Sequence, residues 1–188
     1  MKRKYRYLIG LIAILTISLS VFARSYRPIP PGEISHPNTI QATGTIQVAF
    51  SPQGGITDMI VQELNSAKKL IEVQTYSFTS APIAQALVDA HRRGVNVRVI
   101  LDKSQKSEKY SSATYLTNNG VPTHIDRSFA IAHSKITIVD RADVITGSFN
   151  FTKSAEENNA ENCLILRGNR QLVDLYEKNW EWRWSETE

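Results

Sequence analysis

The chemistry-bearing residues of this 188-residue chain cluster in its second half. His133-Ser134-Lys135 runs through Ile136-Thr137-Ile138-Val139 to Asp140, and six residues later comes Gly147-Ser148-Phe149-Asn150. The pattern is H-x-K-x4-D-x6-G-S-x-N. Side chains alternate faces along a strand, so His133 and Lys135 are expected to project together from a strand spanning His133 to Val139. Ser148 and Asn150 form a second pair, with Phe149 and Phe151 on the opposite side. Such a set suits phosphoryl transfer through a covalent intermediate. A neutral imidazole attacks phosphorus, while the Lys135 ammonium and donors from Ser148 and Asn150 hold the non-bridging oxygens. With that electrostatic work done by side chains, no metal and no cofactor is expected.

A nucleophilic histidine needs its second ring nitrogen oriented, commonly by a carboxylate. Glu161 is best placed, since it opens the strand after the motif and shares parity with Cys163 and Ile165. Glu156 and Glu157 are weaker alternatives. Against these readings stand plainer ones: a lone strand histidine is usually structural, a lysine snorkels, and Gly-Ser and Asn favour turns. The Trp180, Trp182 and Trp184 cluster reads as core packing rather than a stacking surface. His124 and Asp126 read as a solvated strand end that could line the cleft. Arg92, Arg93, Arg98, Lys103, Lys106 and Lys109 form the densest basic region, a weak signal for phosphate-backbone binding because Arg92 and Arg93 also suit a helix C-terminus.

The elements that must position these residues alternate between strand and helix patterns. Strands are expected at Ile46 to Phe50, Leu70 to Phe78, Val95 to Leu101, Val121 to Ile125, Val144 to Thr146 and Asn162 to Leu166, besides the one that begins at His133. Ile56, Met59, Ile60, Leu64, Ala67 and Ile71 recur at helical spacing behind Gly54-Gly55. A second helix has Ser80 as N-cap, Pro82 just inside and Gly94 as its stop. Two more run from Ser111 to Asn118 and from about Arg170 to Trp182. Helices alternating with strands apolar on both faces imply an α/β fold, a mixed central sheet flanked by helices on both faces.

Ahead of this domain, residues 1–23 carry a basic start (Lys2, Arg3, Lys4, Arg6), an apolar run from Leu8 to Phe22 and a small residue at Ala23, the three regions of a secretory signal. The apolar run is shorter than the roughly 17–25 residues that span a bilayer, so cleavage and a periplasmic location are expected over anchoring; a membrane association follows only if the segment is retained. Of 22 Lys and Arg, four lie in this leader, leaving 18 against 18 Asp and Glu. The high pI is thus no evidence for nucleic-acid binding. Residues 24–45, with Pro28, Pro30 and Pro31, read as an extended linker, and residues 46–188 as one domain. Cys163 is the single cysteine, so no intrachain disulfide forms, and its apolar strand context reads as a buried inert thiol.

The H-x-K-x4-D signature with its Gly-Ser-Phe-Asn continuation resembles the HKD motif of the phospholipase D superfamily. Its single-motif form, export signal and length are most similar to the bacterial Nuc-type endonucleases, over about Ile46 to Trp184. The resemblance implies a phospholipase D-like α-β-α sandwich and a metal-independent phosphodiesterase. It also implies a phosphohistidine on His133, phosphate binding by Lys135, Ser148 and Asn150, and orientation of the histidine by Glu161. Asp140 belongs to the motif but has the opposite parity from His133, so a structural role is expected for it, as for Gly147. Family enzymes need two motifs per active site. His36, His91 and His124 lack the pattern, so a symmetric homodimer joining two His133 side chains is implied. The expected substrate is nucleic acid, DNA and possibly RNA, cut with little sequence specificity to leave 5′-phosphates. The rival is a phospholipid, for which no membrane-facing apolar segment is visible outside the leader.

Overall fold

The computed structural model describes residues 32–187; the predicted leader and the start of the linker lie outside the described residues. Seven strands are β1 (Thr45–Phe50), β2 (Leu70–Thr75), β3 (Asn96–Asp102), β4 (Thr123–Asp126), β5 (Ile136–Val139), β6 (Asp143–Gly147) and β7 (Asn162–Arg167). They form one sheet in the order β1-β7-β6-β5-β2-β3-β4. β2 runs parallel to β3, and β3 to β4. The other pairings are antiparallel. The helices are α1 (Ile56–Ser66), α2 (Ala81–Arg92), α3 (Ala113–Asn118), α4 (Lys153–Glu157) and α5 (Arg170–Ser185).

Strand alternation sorts the core into two layers. Ile71, Val73, Val97, Val99, Leu101, Ile145 and Ile165 pack against Ile56, Ile60, Leu64, Ile83 and Leu87 of α1 and α2. Ile100, Ile136, Ile138 and Val144 face the other way, onto Val173 and Trp180 of α5. The class is therefore the expected α/β sandwich.

Several boundaries differ from expectation. α1 stops at Ser66 because the backbone turns extended at Ala67 (ψ 138°). Ala67 and Ile71 belong to the turn and to β2, so their helical spacing is coincidental. β2 ends at Thr75, short of Phe78, and β5 begins at Ile136, so His133 and Lys135 precede the strand. Ser80 is the N-cap of α2 but makes no side-chain capping bond. The stretch read as linker carries a 3-10 turn at Gly32–Ser35. Glu33 in that turn pairs with Lys178 of α5, which gives the segment a surface to lie on.

One edge is exposed. Along β1, Ile46, Val48 and Phe50 are 62, 52 and 64% exposed, an apolar strip on the α5 side of the sheet beyond the reach of that helix. Alternation at a sheet edge hides this from sequence reading: the pattern is that of a buried strand.

Candidate active site

Asp140 shows how the motif is built into the fold. It sits in the β5–β6 turn with φ +52° and Arg141 with φ +55°, left-handed conformations that an Asp tolerates better than most residues. Its carboxylate accepts the backbone N–H groups of Lys68, Lys69 and Leu70 at 2.8, 2.7 and 2.9 Å. Burial pushes its pKa up, but these donors outweigh that and hold the carboxyl below its ordinary value. Asp140 thus clamps β5 to the start of β2, away from the reacting end. Gly147 serves close packing: a Cβ there would stand 2.2 Å from the Asn162 carbonyl oxygen.

At the other end of β5 the chain leaves the sheet. His133 is exposed, whereas Lys135 is 7% exposed. The Lys135 ammonium lies 3.1 and 3.2 Å from the two His133 ring nitrogens and donates to the His133 carbonyl at 2.8 Å. It forms no salt bridge among the described residues. Burial lowers its pKa, opposed by the negative charge of Glu161. The His133 ring packs on Tyr76, centroids 4.7 Å apart, and the same tyrosine ring lies 5.5 Å from the Lys135 ammonium. Lys135 also lines a small void with Gly147, Phe149, Phe151 and Cys163, which puts the two halves of the motif side by side.

Phe149 and Phe151 are buried at 2 and 3% exposure and flank Asn150, whose side-chain Oδ1 is buried with no hydrogen-bond partner among the described residues. An uncompensated buried carbonyl costs on the order of 1–3 kcal/mol, and this oxygen is an acceptor open only to a donor. Phe151 is tied in place by its N–H to the Ser77 carbonyl and by its carbonyl to the Thr79 and Ser80 N–H groups.

The carboxylates fall differently from expectation. Glu161 makes no hydrogen bond to His133; its carboxylate accepts from Ser148 Oγ at 2.6 Å and Asn159 Nδ2 at 3.2 Å. Ser148 Oγ also accepts from the Asn162 N–H at 3.1 Å, so the hydroxyl proton is committed to Glu161. The structure therefore brings His133 with Lys135, and Ser148 with Glu161. Glu156 is elsewhere, capping α1 through the N–H groups of Gly55 and Thr57. Glu157 pairs with Lys153. The Cys163 thiol is buried, which pushes its pKa up to about 12.

Sequence reasoning missed Tyr76 and Asp102. Asp102, 2% exposed, accepts the Ala132 N–H at 2.7 Å and the Ser104 N–H at 2.9 Å. It thereby anchors the residue before His133 to the end of β3. An aspartate closing a strand ahead of Lys-Ser is an Asx-turn signal, the one local hint available.

His124, Asp126 and the tryptophans all lie on the α5 side. His124 stacks on Trp184 at 3.6 Å, and Asp126 is buried against Arg183, so neither lines the cleft nor forms a solvated strand end. Trp180 is fully buried. Arg98, predicted within a basic surface, is instead bound to Glu72 and Glu181 and stacked over Trp180 at 4.6 Å. Among the described residues, Glu72, Glu177 and Glu181 are the one carboxylate group close enough to share a metal ion. Arg98 already occupies it.

The sequence matches the family described as cardiolipin synthase, PLD-like domain, over residues 60–184. A phospholipase D of Rickettsia bellii is 37% identical over 152 residues, 80% of this chain and 75% of that protein. Nuc of Salmonella typhimurium, a phospholipase D family member, superposes with a TM-score of 0.73 at 38% identity, covering 77% of this chain and 96% of Nuc. NucT from Helicobacter pylori shares the fold with a TM-score of 0.68 at 22% identity, covering 76% and 98%. The chain belongs to the phospholipase D superfamily of phosphodiesterases. Within that class its architecture is of the Nuc type.

Proposed function

We propose that the protein is an exported, metal-independent endonuclease that cleaves DNA, and also RNA, through a phosphohistidine. The observation that carries this reading is the buried Lys135 ammonium, free of any carboxylate bridge and within 3.2 Å of both His133 ring nitrogens. An anionic phosphodiester supplies the charge that Lys135 lacks.

In the reaction a ring nitrogen of His133 attacks phosphorus and the bond to the leaving 3′ oxygen of the sugar breaks. The His133 of a second copy, across a two-fold axis, gives that oxygen its proton. Water then attacks the phosphohistidine, surrenders a proton to the second imidazole, and releases a 5′-phosphate. Lys135 and the Asn150 amide hold the non-bridging oxygens. Ser148 and Glu161 act as a unit beside them, the glutamate turning to the imidazole once the histidine becomes cationic. Periplasmic release and cleavage of the leader complete the reading.

A second reading, a phospholipid phosphodiesterase, is favoured by the exposed Ile46-Val48-Phe50 strip, an apolar surface invisible in the sequence, and by the name of the Rickettsia relative. No helix of the described residues is long and apolar enough to cross a membrane. Incubation with plasmid DNA and, separately, phosphatidylglycerol vesicles in excess EDTA tests both. Degradation of the plasmid by the native protein and not by His133→Ala supports the nuclease; hydrolysis of lipid alone transfers the site to the second reading.

A further inference from the structure

A slot beside the candidate active site has the composition of a base-binding platform. It lies between the start of α2 and the loop leading into α3, has a volume of about 310 Å³, and is lined by Thr79, Ala81, Gln85, Tyr110, Ser112 and Tyr115 among others. Tyr110 is 70% exposed and Tyr115 38%. Large aromatic rings left in water need a reason, and these two rim one cavity.

The rings differ in how they are held. Tyr115 is fixed by donating its hydroxyl to Gln85 Oε1 at 2.6 Å, and Gln85 in turn donates to Asp89 at 2.8 Å. Tyr110 has the Lys109 ammonium 5.2 Å from its ring centroid. Lys103, Lys106 and Lys109 lie on the loop that carries Tyr110, against one acid, Glu108, and all four are exposed. None of the residues lining the slot is charged. A neutral, aromatic-rimmed cavity with the Lys109 cation at its edge matches a base and its attached phosphate.

The slot is coupled to the histidine. The Ser112 N–H donates to the Phe78 carbonyl at 2.8 Å, and the Thr79 N–H donates to Phe151, next to Asn150. From Thr79 back to Tyr76, which packs on His133, is three residues, at most ~11 Å of backbone.

We infer that this slot is a stacking subsite for an unpaired nucleobase of the strand whose phosphate lies at His133, with Tyr110 as its principal contact. The inference rests on the nucleic-acid reading of the site. It makes single-stranded nucleic acid, or a locally opened duplex, the preferred substrate, because both faces of a base within a duplex are covered by its stacked neighbours. Alanine replacement of a stacking aromatic weakens binding by roughly 5- to 100-fold per base.

The test compares the full-length protein with Tyr110→Ala and Tyr110→Phe on two substrates, a fluorescent single-stranded oligonucleotide and bis(p-nitrophenyl) phosphate, which is too small to reach the slot. The expected result is a KM for the oligonucleotide raised about tenfold or more in Tyr110→Ala, near-native behaviour in Tyr110→Phe, and unchanged hydrolysis of the small diester by all three. Oligonucleotide kinetics unaltered in Tyr110→Ala would overturn the subsite and leave the nuclease reading intact. Hydrolysis of the small diester without any cleavage of the oligonucleotide by the native protein would sink that reading and the subsite with it. Equal losses on both substrates would overturn the subsite by making Tyr110 structural.

Discussion

Two regions of the molecule bury cations, and they treat them in opposite ways. Beneath α5, Arg98 is held by Glu72 and Glu181, and Arg183 by Asp126, so each guanidinium meets a carboxylate. At the rim of the sheet, Lys135 is as buried as Arg183, yet among the described residues its ammonium meets the His133 ring, the His133 carbonyl and the Tyr76 ring and no carboxylate. The first region pairs each guanidinium with a carboxylate and stabilises the fold, although Arg98 Nε, Arg183 Nε and Glu72 Oε2 find no hydrogen-bond partner among the described residues. The second is left incomplete, at a cost, which is the arrangement expected where a ligand is to supply the missing charge.

The sharpest break between the regions is expected at His133. It is exposed and ties down no other element, so His133→Ala should lower phosphodiester cleavage by roughly 10⁴-fold or more while the thermal midpoint stays where it was. A fall in midpoint with residual activity would make it a structural residue and erase the contrast. Asp126→Asn should do the reverse. It leaves the buried Arg183 without its partner, which costs about 3–5 kcal/mol, measured by urea unfolding, with kcat/KM of the folded fraction unchanged.

Lys135→Met is the finer test, since here the two regions make opposite demands on one kind of change. Removing the cation should lower kcat by about 10²–10³-fold, yet stability should hold or rise, because the ammonium is buried without an anion. A destabilisation matching that of Asp126→Asn would show that Lys135 is a completed structural pair after all.

The two regions also differed in how far the sequence disclosed them. The meeting of His133 with Lys135 was legible because only two residues separate them, so the contact needs only local geometry, although neither lies in a strand. The sandwich was legible for the same reason: apolar periodicity changes from strand to helix at nearly every boundary. What escaped depends on contacts between distant residues. The carboxylate of Asp140 meets N–H groups some 70 positions away, Asp102 reaches Ala132 across 30, and Arg98 finds Glu181 across 83. Read locally, Arg98 was one more surface base, and the bond of Ser148 to Glu161 had no signature. The start of β5 was also misplaced, because an alternating pattern cannot tell a paired residue from one just short of the ladder; His133 lies in that short irregular segment.

The smallest expected effect concerns the one member of the paired region whose charge is marginal. Burial pushes the Glu72 carboxyl up to about 7, against the pull of Arg98. Its Oε2 has no partner among the described residues. Between its ordinary value of 4.5 and about 7 the folded chain keeps a proton that the unfolded chain has released. Stability must therefore fall as pH rises through that window and level off above it. Asp143, raised to about 6 by burial and by Glu63, slopes the same way, so the Glu72 contribution is isolated by difference. In urea unfolding at successive pH values, the native protein should lose on the order of 1 kcal/mol per pH unit relative to Glu72→Gln between pH 4.5 and 7, and nothing further above pH 7. A difference that stays flat across the window would mean that Arg98 keeps Glu72 ionised throughout, and that the region beneath α5 is as fully paired at Glu72 as it is at Asp126.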